Sequence, residues 1–483
     1  YVFILFLPLL LMEAAYYTSL RDFKNNMRPI SQLAIGLVIA TTFAAAAILK
    51  WLVPGIGWAA AIAFGAIISP PDAVAATAIT RRLKVPKRII TILSGESLVN
   101  DATGLVVYKF AVLAVVAGSF SMLNASISFV WVIVAGSLVG YFTTVLYLRL
   151  YPYIKDHTIE IISTFIVPYA AYLIAESFGA SGILAVVVAG LKLSWESPNI
   201  FAPESRIRTT AVWEVMTFAL NGFVFILIGL QFPSLMSRLA HYSIWTLVGY
   251  AAAVCMVIII LRIVWVFVVG YGTRFLFPSI RKRDPYPPWQ NVFIIGWTGM
   301  RGVVSLAAAL ALPYITNLGT PFPERDLLIF LAFSVILGTL VLQGLSLPWV
   351  IRRMKLFIDT ENLYEAWNAR KQAVLAVLAK LDQVCTAQNV PESVVQRLHA
   401  HYTDRLEELG DGPNTRLDTN DSEPENKETT MAAERRLWHD LIAVERNVII
   451  TLRKASEISD EVMRDIEQEL DLMHARFERT TIS

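Results

Sequence analysis

SGESLVNDATG, residues 94–104, lies inside a long apolar run, yet it carries two acids, Glu96 and Asp101, beside the amide of Asn100 and several hydroxyl side chains. A charge at mid-bilayer costs about 2.5–3.5 kcal/mol on insertion scales, so a membrane span built on this stretch must compensate its carboxylates within the protein. The whole chain favours a membrane. Of its 483 residues, 55% are hydrophobic and 17% charged, and the mean hydropathy is +0.55. A soluble domain this apolar would aggregate, so the composition indicates an all-α polytopic membrane protein.

Apolar segments of about 20 residues, the length that spans a bilayer, recur along the chain on both sides of that stretch. They occur near 1–20, 31–53, 57–80, 89–117, 127–150, 159–176, 180–195, 211–232, 244–271, 290–312 and 327–350, eleven in all. Basic residues cluster after every second one: Arg21, Lys24 and Arg28; Arg81 to Arg88; Arg149 and Lys155; Arg206 and Arg208; Arg274 to Arg283; and Arg352 to Lys355. That alternation matches the positive-inside rule and makes those six loops cytoplasmic, with Tyr1 near the outer face. The chain begins within an apolar run, without an initiator Met or the basic n-region of a signal peptide, and reads as a fragment whose upstream part is missing.

The character changes after about residue 351. Residues 352–483 read as a helical cytoplasmic tail, with a polar linker near 409–430, set against a membrane domain over 1–351. As a bland reading, the tail is a dimerising or solvating appendage. Cys255 lies in an apolar span and Cys385 in the tail, which argues against a disulfide framework. All six histidines lie in loops or the tail, so no buried zinc or haem site, and no cofactor, is expected.

Within 94–104, Ser97, Asp101, Gly104 and Tyr108 share one helical stripe, with Glu96, Asn100 and Thr103 beside it. Such a polar face must look into protein or water. A structural network between helices would use Ser, Thr, Asn and Gln; two carboxylates within six residues favour function. The preceding span holds GAIISPPDAVAATAI, in which Pro70 and Pro71 obstruct the helix and Asp72 follows directly. Carbonyls freed at a broken helix are ready cation ligands. A second interruption, GWTGMRGVVSLAAAL, sets Arg301 between Gly299 and Gly302, and Arg262 lies deep in the ninth span. Each arginine stays charged and calls for a carboxylate partner. Glu13, Asp72, Glu96 and Asp101 against Arg262 and Arg301 leave two surplus negative charges, to be neutralised by a cation or protons. Lys109, toward the outer end of its helix, is set aside as free to snorkel. A site that takes Na+ or H+ but not both is the physical basis of exchange.

Four motifs, SPPDAV, GESLVNDATG, GFVFILIGLQ (222–231) and GMRGVVSLA (299–307), together resemble the electroneutral sodium/proton exchanger branch of the monovalent cation/proton antiporters, over residues 1–355 and in the right order. The bacterial members with a long cytoplasmic tail are the most similar. The resemblance implies an antiporter fold of thirteen helices in two inverted repeats, with a dimer domain, a mobile core domain and two crossed broken helices. Eleven spans then fit the loss of the first two. It further implies a homodimer in the cell membrane that exchanges Na+ or Li+ for H+ in pH and sodium homeostasis. Carried over, Asp101 resembles the ion- and proton-carrying aspartate, and Asn100 the neighbour that marks electroneutral members. Asp72 resembles the acid of the broken helix, Ser97 a hydroxyl ligand, and Glu13 an outer acid linked to the site. Na+ would lie at Asp101, Asp72 and Ser97. Glu96 with Arg262 resembles the ion pair that steadies the core, and Arg301 the charge that balances the helix crossing. Many members read Thr-Asp-Pro at the break; here Pro71 precedes Asp72 and Ala73 follows, so a carbonyl such as that of Pro71 would serve. That leaves K+/H+ exchange open as an alternative. An intramembrane aspartyl protease using Asp72 and Asp101 lacks the Gly-x-Gly-Asp motif it needs, and a cation channel lacks a repeated filter-like loop. Nothing in the chain suggests nucleic-acid binding.

Overall fold

A computed structural model describes residues 2–72, 76, 77, 79, 80, 83, 85–117, 122–154, 156–317, 319–354, 361–388, 392–410 and 428–479. These are mostly helical, and no strand forms among them beyond an isolated bridge between Ile315 and Pro321. The chain divides into two compact units. One comprises residues 1–18, 23–197 and 211–358; the other comprises 19–22, 198–210 and 359–483.

The first unit opens with α1 (Val2–Tyr16), α2 (Met27–Leu52) and α3 (Trp58–Ile68). Then follow α4 (Lys87–Ala117), α5 (Met122–Leu150), α6 (His157–Ser177), α7 (Gly182–Ile200) and α8 (Pro203–Arg238), whose adjoining ends at 198–210 fall in the second unit, and α9 (Ile244–Phe267). The short α10 (Trp289–Trp297) and α11 (Val303–Leu310) precede α12 (Arg325–Met354), which carries a π-helical turn at Leu340–Gly344. Six stretches are long and apolar enough to cross a membrane: Met27–Leu52, Lys87–Val116, Val130–Tyr153, His157–Ser177, Ile244–Leu276 and Arg325–Met354. Leu5–Tyr16 and Trp58–Ile68 are shorter apolar helices. The stretches expected as the seventh and eighth spans form helices, α7 and α8, and neither is among the six.

Two of the apolar stretches are not single helices. α3 stops at Ile68, and Ser69 to Asp72 are non-helical, because Pro70 and Pro71 supply no N–H and crowd the preceding turn. Ala73 lies outside the described residues. The second interruption, Thr298 to Gly302, separates α10 from α11. The core of this unit is small and aliphatic, with Ala45, Ala61, Ala66, Ala309 and Ala332 beside Phe64, Leu328 and Val335. Residues of that size let helix backbones approach closely where lipid supplies no hydrophobic drive. The outer surface is the inverse of a soluble protein's, with Phe218 83%, Trp245 80% and Leu230 70% exposed.

The second unit holds the amphipathic helices α13 (Glu361–Gln388), α14 (Glu392–Leu409), α15 (Glu428–Lys454) and α16 (Asp460–Arg479). Their apolar stripes close two clusters, one around Ala369, Ile449 and Ile466, the other around Val377, Tyr402 and Leu437. Most of the polar stretch read as a linker, at 411–427, lies outside the described residues.

Candidate functional site

α4 carries the site because three of its faces are committed to different neighbours. Leu98 packs with Ala15 of α1 and Val187 of α7. Gly104 lies against the first interruption, where an added Cβ would stand 2.5 Å from Pro70 Cγ and 3.2 Å from the Ala66 carbonyl. One turn earlier, Asn100 Nδ2 donates to the Pro71 carbonyl at 2.7 Å, so the unwound segment is tied to the helix by a side-chain amide. Asn100 is fully buried, and its Oδ1 has no hydrogen-bond partner among the described residues.

The two interruptions meet. The Asp72 amide donates to the Met300 carbonyl at 2.7 Å. The Asp72 carboxylate lies so close to Gly302 that a Cβ there would overlap it. Since Gly302 immediately precedes α11, this acid sits at the positive end of a half-helix, where free N–H groups and the helix dipole favour negative charge.

Glu96 occupies another face of α4. Arg262 grips it with both prongs, Nη1 to Oε1 at 2.6 Å and Nη2 to Oε2 at 2.8 Å, and Nη2 also donates to the Ile295 carbonyl at 3.1 Å. Both side chains are 1% exposed. Gly299 makes room for this arginine: a Cβ at that position would lie 2.5 Å from Arg262 Cδ.

Asp101 contrasts with Glu96. It is buried, the charge that bears on it is that of Asp72, and among the described residues it has no hydrogen bond or ion pair. Ser97 and Glu13 are half-buried, the latter on α1, which packs against α4 and α11. The structure therefore brings together Pro71, Asp72, Asn100 and Asp101. Among the described residues no group of three or more His, Cys, Asp or Glu side chains converges, so the two carboxylates would be completed by neutral oxygens such as the Pro71 carbonyl. That carbonyl already accepts from Asn100 and retains a second lone pair.

One sequence expectation is corrected. Among the described residues Arg301 forms no ion pair: it is 1% exposed, its Nε and Nη1 have no hydrogen bond, and its backbone N–H donates to Thr339 Oγ1 at 3.2 Å. The acid whose charge bears on it is Glu96, which Arg262 already grips, so Arg301 shares a compensated carboxylate instead of holding one of its own. Lys109 leaves the internal charge tally, because it pairs with Glu176 at 3.1 Å and is about half exposed. Thr339 and the buried Gln343 escaped the sequence reading, although two polar residues four apart in an apolar run were a usable signal. The Met300 carbonyl and the close approach at Gly302 left no such signal.

The geometry can be set beside known proteins. The profile of the transmembrane sodium/hydrogen exchanger family matches residues 1–353. An uncharacterized Na+/H+ exchanger of Mycobacterium tuberculosis is 33% identical over 482 residues, 98% of this chain and 86% of that protein. The sodium, potassium, lithium and rubidium/H+ antiporter of Bacillus subtilis is 36% identical over 357 residues, 72% of this chain and 53% of that one. Among solved structures, the sodium proton antiporter MjNhaP1 of Methanocaldococcus jannaschii superposes with a TM-score of 0.54 at 17% identity, covering 71% of this chain and 85% of that one, a likeness of fold. The chain belongs to the sodium/hydrogen exchanger family, multi-pass membrane antiporters of monovalent cations and protons and not enzymes.

Proposed function

We propose that this protein is an electroneutral Na+(Li+)/H+ antiporter in which Asp101 carries either one proton or one cation by alternating access. The observation that carries the reading is the state of Asp101: buried, under the charge of Asp72, and without a hydrogen bond or ion pair among the described residues while Asn100 beside it is tied to Pro71. Only the ionised carboxylate can coordinate a cation, so proton and Na+ exclude each other. Ser97, Asp72 and the Pro71 carbonyl are the further oxygens of the cation site, in keeping with unwound backbone serving as ion ligand in transporters. Replacing one proton by one monovalent cation leaves the charge of the moving site unchanged. Asn100, neutral beside Asp101, keeps a second charge out of the cycle.

In this reading the two interruptions are the crossed broken helices of an inverted-repeat antiporter fold, with Glu96–Arg262 steadying the core and Arg301 balancing the half-helix ends. Glu13 is the outer acid linked to the site. Residues 1–351 form the membrane domain, a reading supported by the fold likeness to MjNhaP1, and work as a homodimer in the cell membrane; the alternation of basic loops supports a cytoplasmic place for residues 352–483. Its role is pH and sodium homeostasis. K+/H+ exchange is the second reading, favoured by the potassium in the name of the Bacillus subtilis relative and by Pro71 at a position where many members have a threonine. The membership in a transporter family removes the protease alternative.

The test is dissipation of a pH gradient in proteoliposomes on adding Na+, Li+ or K+. Wild type should respond to Na+ and Li+ at a rate insensitive to membrane potential, and Asp101→Asn should fall to the level of empty vesicles. A mutant that exchanges as well as wild type overturns the mechanism.

A further inference from the structure

Residues 19–22 follow α1, and residues 198–210 run from the end of α7 into α8, so in sequence both are connectors of the first unit. In space they belong to the unit formed by the tail. What holds each of them there is an acid of α16.

Arg206 sits in the second connector. Its Nη2 reaches Asp471 Oδ1 at 2.5 Å and its Nε reaches Asp471 Oδ2 at 2.9 Å. The remaining prong, Nη1, donates to the carbonyls of Phe201 at 3.2 Å and Pro198 at 3.4 Å. One guanidinium thus fixes the shape of its own connector and fastens it to α16. Asp471 also accepts from Arg446 of α15 at 2.6 Å, and Glu467, one turn earlier, lies 3.8 Å from Arg206. The Asp471 and Arg206 side chains are 4% and 11% exposed, so this is a shielded two-pronged pair, unlike the surface ion pairs that contribute little.

Asp460, the first residue of α16, holds the other connector. It accepts from Ser19 Oγ at 2.8 Å, from the Arg21 amide at 3.5 Å and from Arg453 Nε at 2.7 Å. Burial alone would raise its carboxyl, but Arg453 and the Ser19 hydroxyl hold it below the usual carboxylate range, so it stays ionised near neutral pH. Asp460 and Asp471 are separated by three helical turns, about 16 Å at 1.5 Å per residue. The opposite face of α16 is locked into the tail's apolar cluster through Val462, Met463, Ile466 and Leu470. α16 therefore carries one clasp at its first residue and a second three turns on, near its middle.

We infer that α16 is a latch: through Asp460 and Asp471 it holds connectors 19–22 and 198–210 at a fixed spacing and so restrains the transport cycle. This rests on the alternating-access reading above, since any step that changes the spacing of the two connectors must open a clasp. Opening the latch should raise the exchange rate and leave the order of cation preference unchanged.

The experiment uses the full chain in proteoliposomes and reads initial exchange rate at saturating Na+ together with backbone hydrogen–deuterium exchange of residues 19–22 and 198–210. Arg206→Gln and Ser19→Ala open one clasp each. Arg206→Lys keeps the charge but loses the two-pronged geometry, and should fall between wild type and Arg206→Gln. Arg370→Gln breaks the pair between Arg370 of α13 and Glu469 of α16 without touching either connector and is the control. Arg206→Gln should exchange deuterium faster at 198–210 and transport at least about fivefold faster, the lower end of ordinary coupling between sites; Arg370→Gln should do neither. Faster deuterium exchange with an unchanged or slower transport rate overturns the latch, and so does unchanged deuterium exchange. Should Arg206→Gln fail to fold, Arg206→Lys and Ser19→Ala carry the same two readouts. If wild type itself transports no cation, the functional reading fails while the deuterium measurement still decides whether the clasps exist.

Discussion

Glu96 and Asp101 stand five residues apart on one helix, both carboxylates buried in an apolar unit, and their surroundings are opposite. Glu96 has both oxygens saturated by Arg262 at 2.6 and 2.8 Å. Asp101 has no hydrogen bond or ion pair among the described residues, and the charge facing it, Asp72, is of the same sign. A buried ion whose donors are all in place has a structural role, and removing one partner leaves the other uncompensated. A buried acid without fixed donors is suited to a partner that arrives and leaves. The two residue types are nearly the same, so the difference in role comes from the neighbours.

The largest effect that would break this contrast is on stability. Glu96→Gln leaves Arg262 charged and buried, and should cost about 3–5 kcal/mol, the usual range for breaking a buried pair. Thermal unfolding in detergent should show a large drop for Glu96→Gln, with none for Asp101→Asn, which removes an uncompensated charge. Equal destabilisation by the two variants would erase the distinction between a structural and a transport carboxylate.

A smaller effect is expected where the two interruptions touch. Gly302→Ala puts a methyl group into the space of the Asp72 carboxylate. It should cost about 1–3 kcal/mol as overpacking and slow cation exchange by displacing Asp72. A Gly302→Ala variant with wild-type melting and transport would show that the acid is free to move aside, and that its place at the start of α11 is not part of the site.

The sequence made some of this readable and left the rest hidden, for reasons of range. The apolar runs, the Pro70–Pro71 break and the polar stripe of α4 depend on residues within a few turns of each other, which periodicity reports directly. Whether residues 298–302 would unwind rested on two glycines around an arginine, and the structure has them non-helical. Glu96 and Arg262 were matched only by charge tally and family likeness; they lie 166 positions apart. The bond from the Asp72 amide to the Met300 carbonyl involves backbone atoms that every residue has, so no residue type announced it. Arg301 misled for a related reason: the acid that bears on it, Glu96, is gripped by another arginine, and a count of charges does not show which base holds which acid. The clasp between Arg206 and Asp471 spans 265 positions and was equally out of reach.

The most direct test of the central claim, that one carboxylate serves both substrates, is the apparent KM for Na+ as a function of pH in proteoliposomes. Raising pH ionises Asp101 and removes the competing proton, so KM should fall as pH rises, about tenfold per unit on the acid side by simple mass action for one proton at one site, and then level off. The maximal rate reached at saturating Na+ should be the same along that slope. A KM that stays constant while the maximal rate follows pH would mean that proton and cation occupy different groups, and would contradict the account.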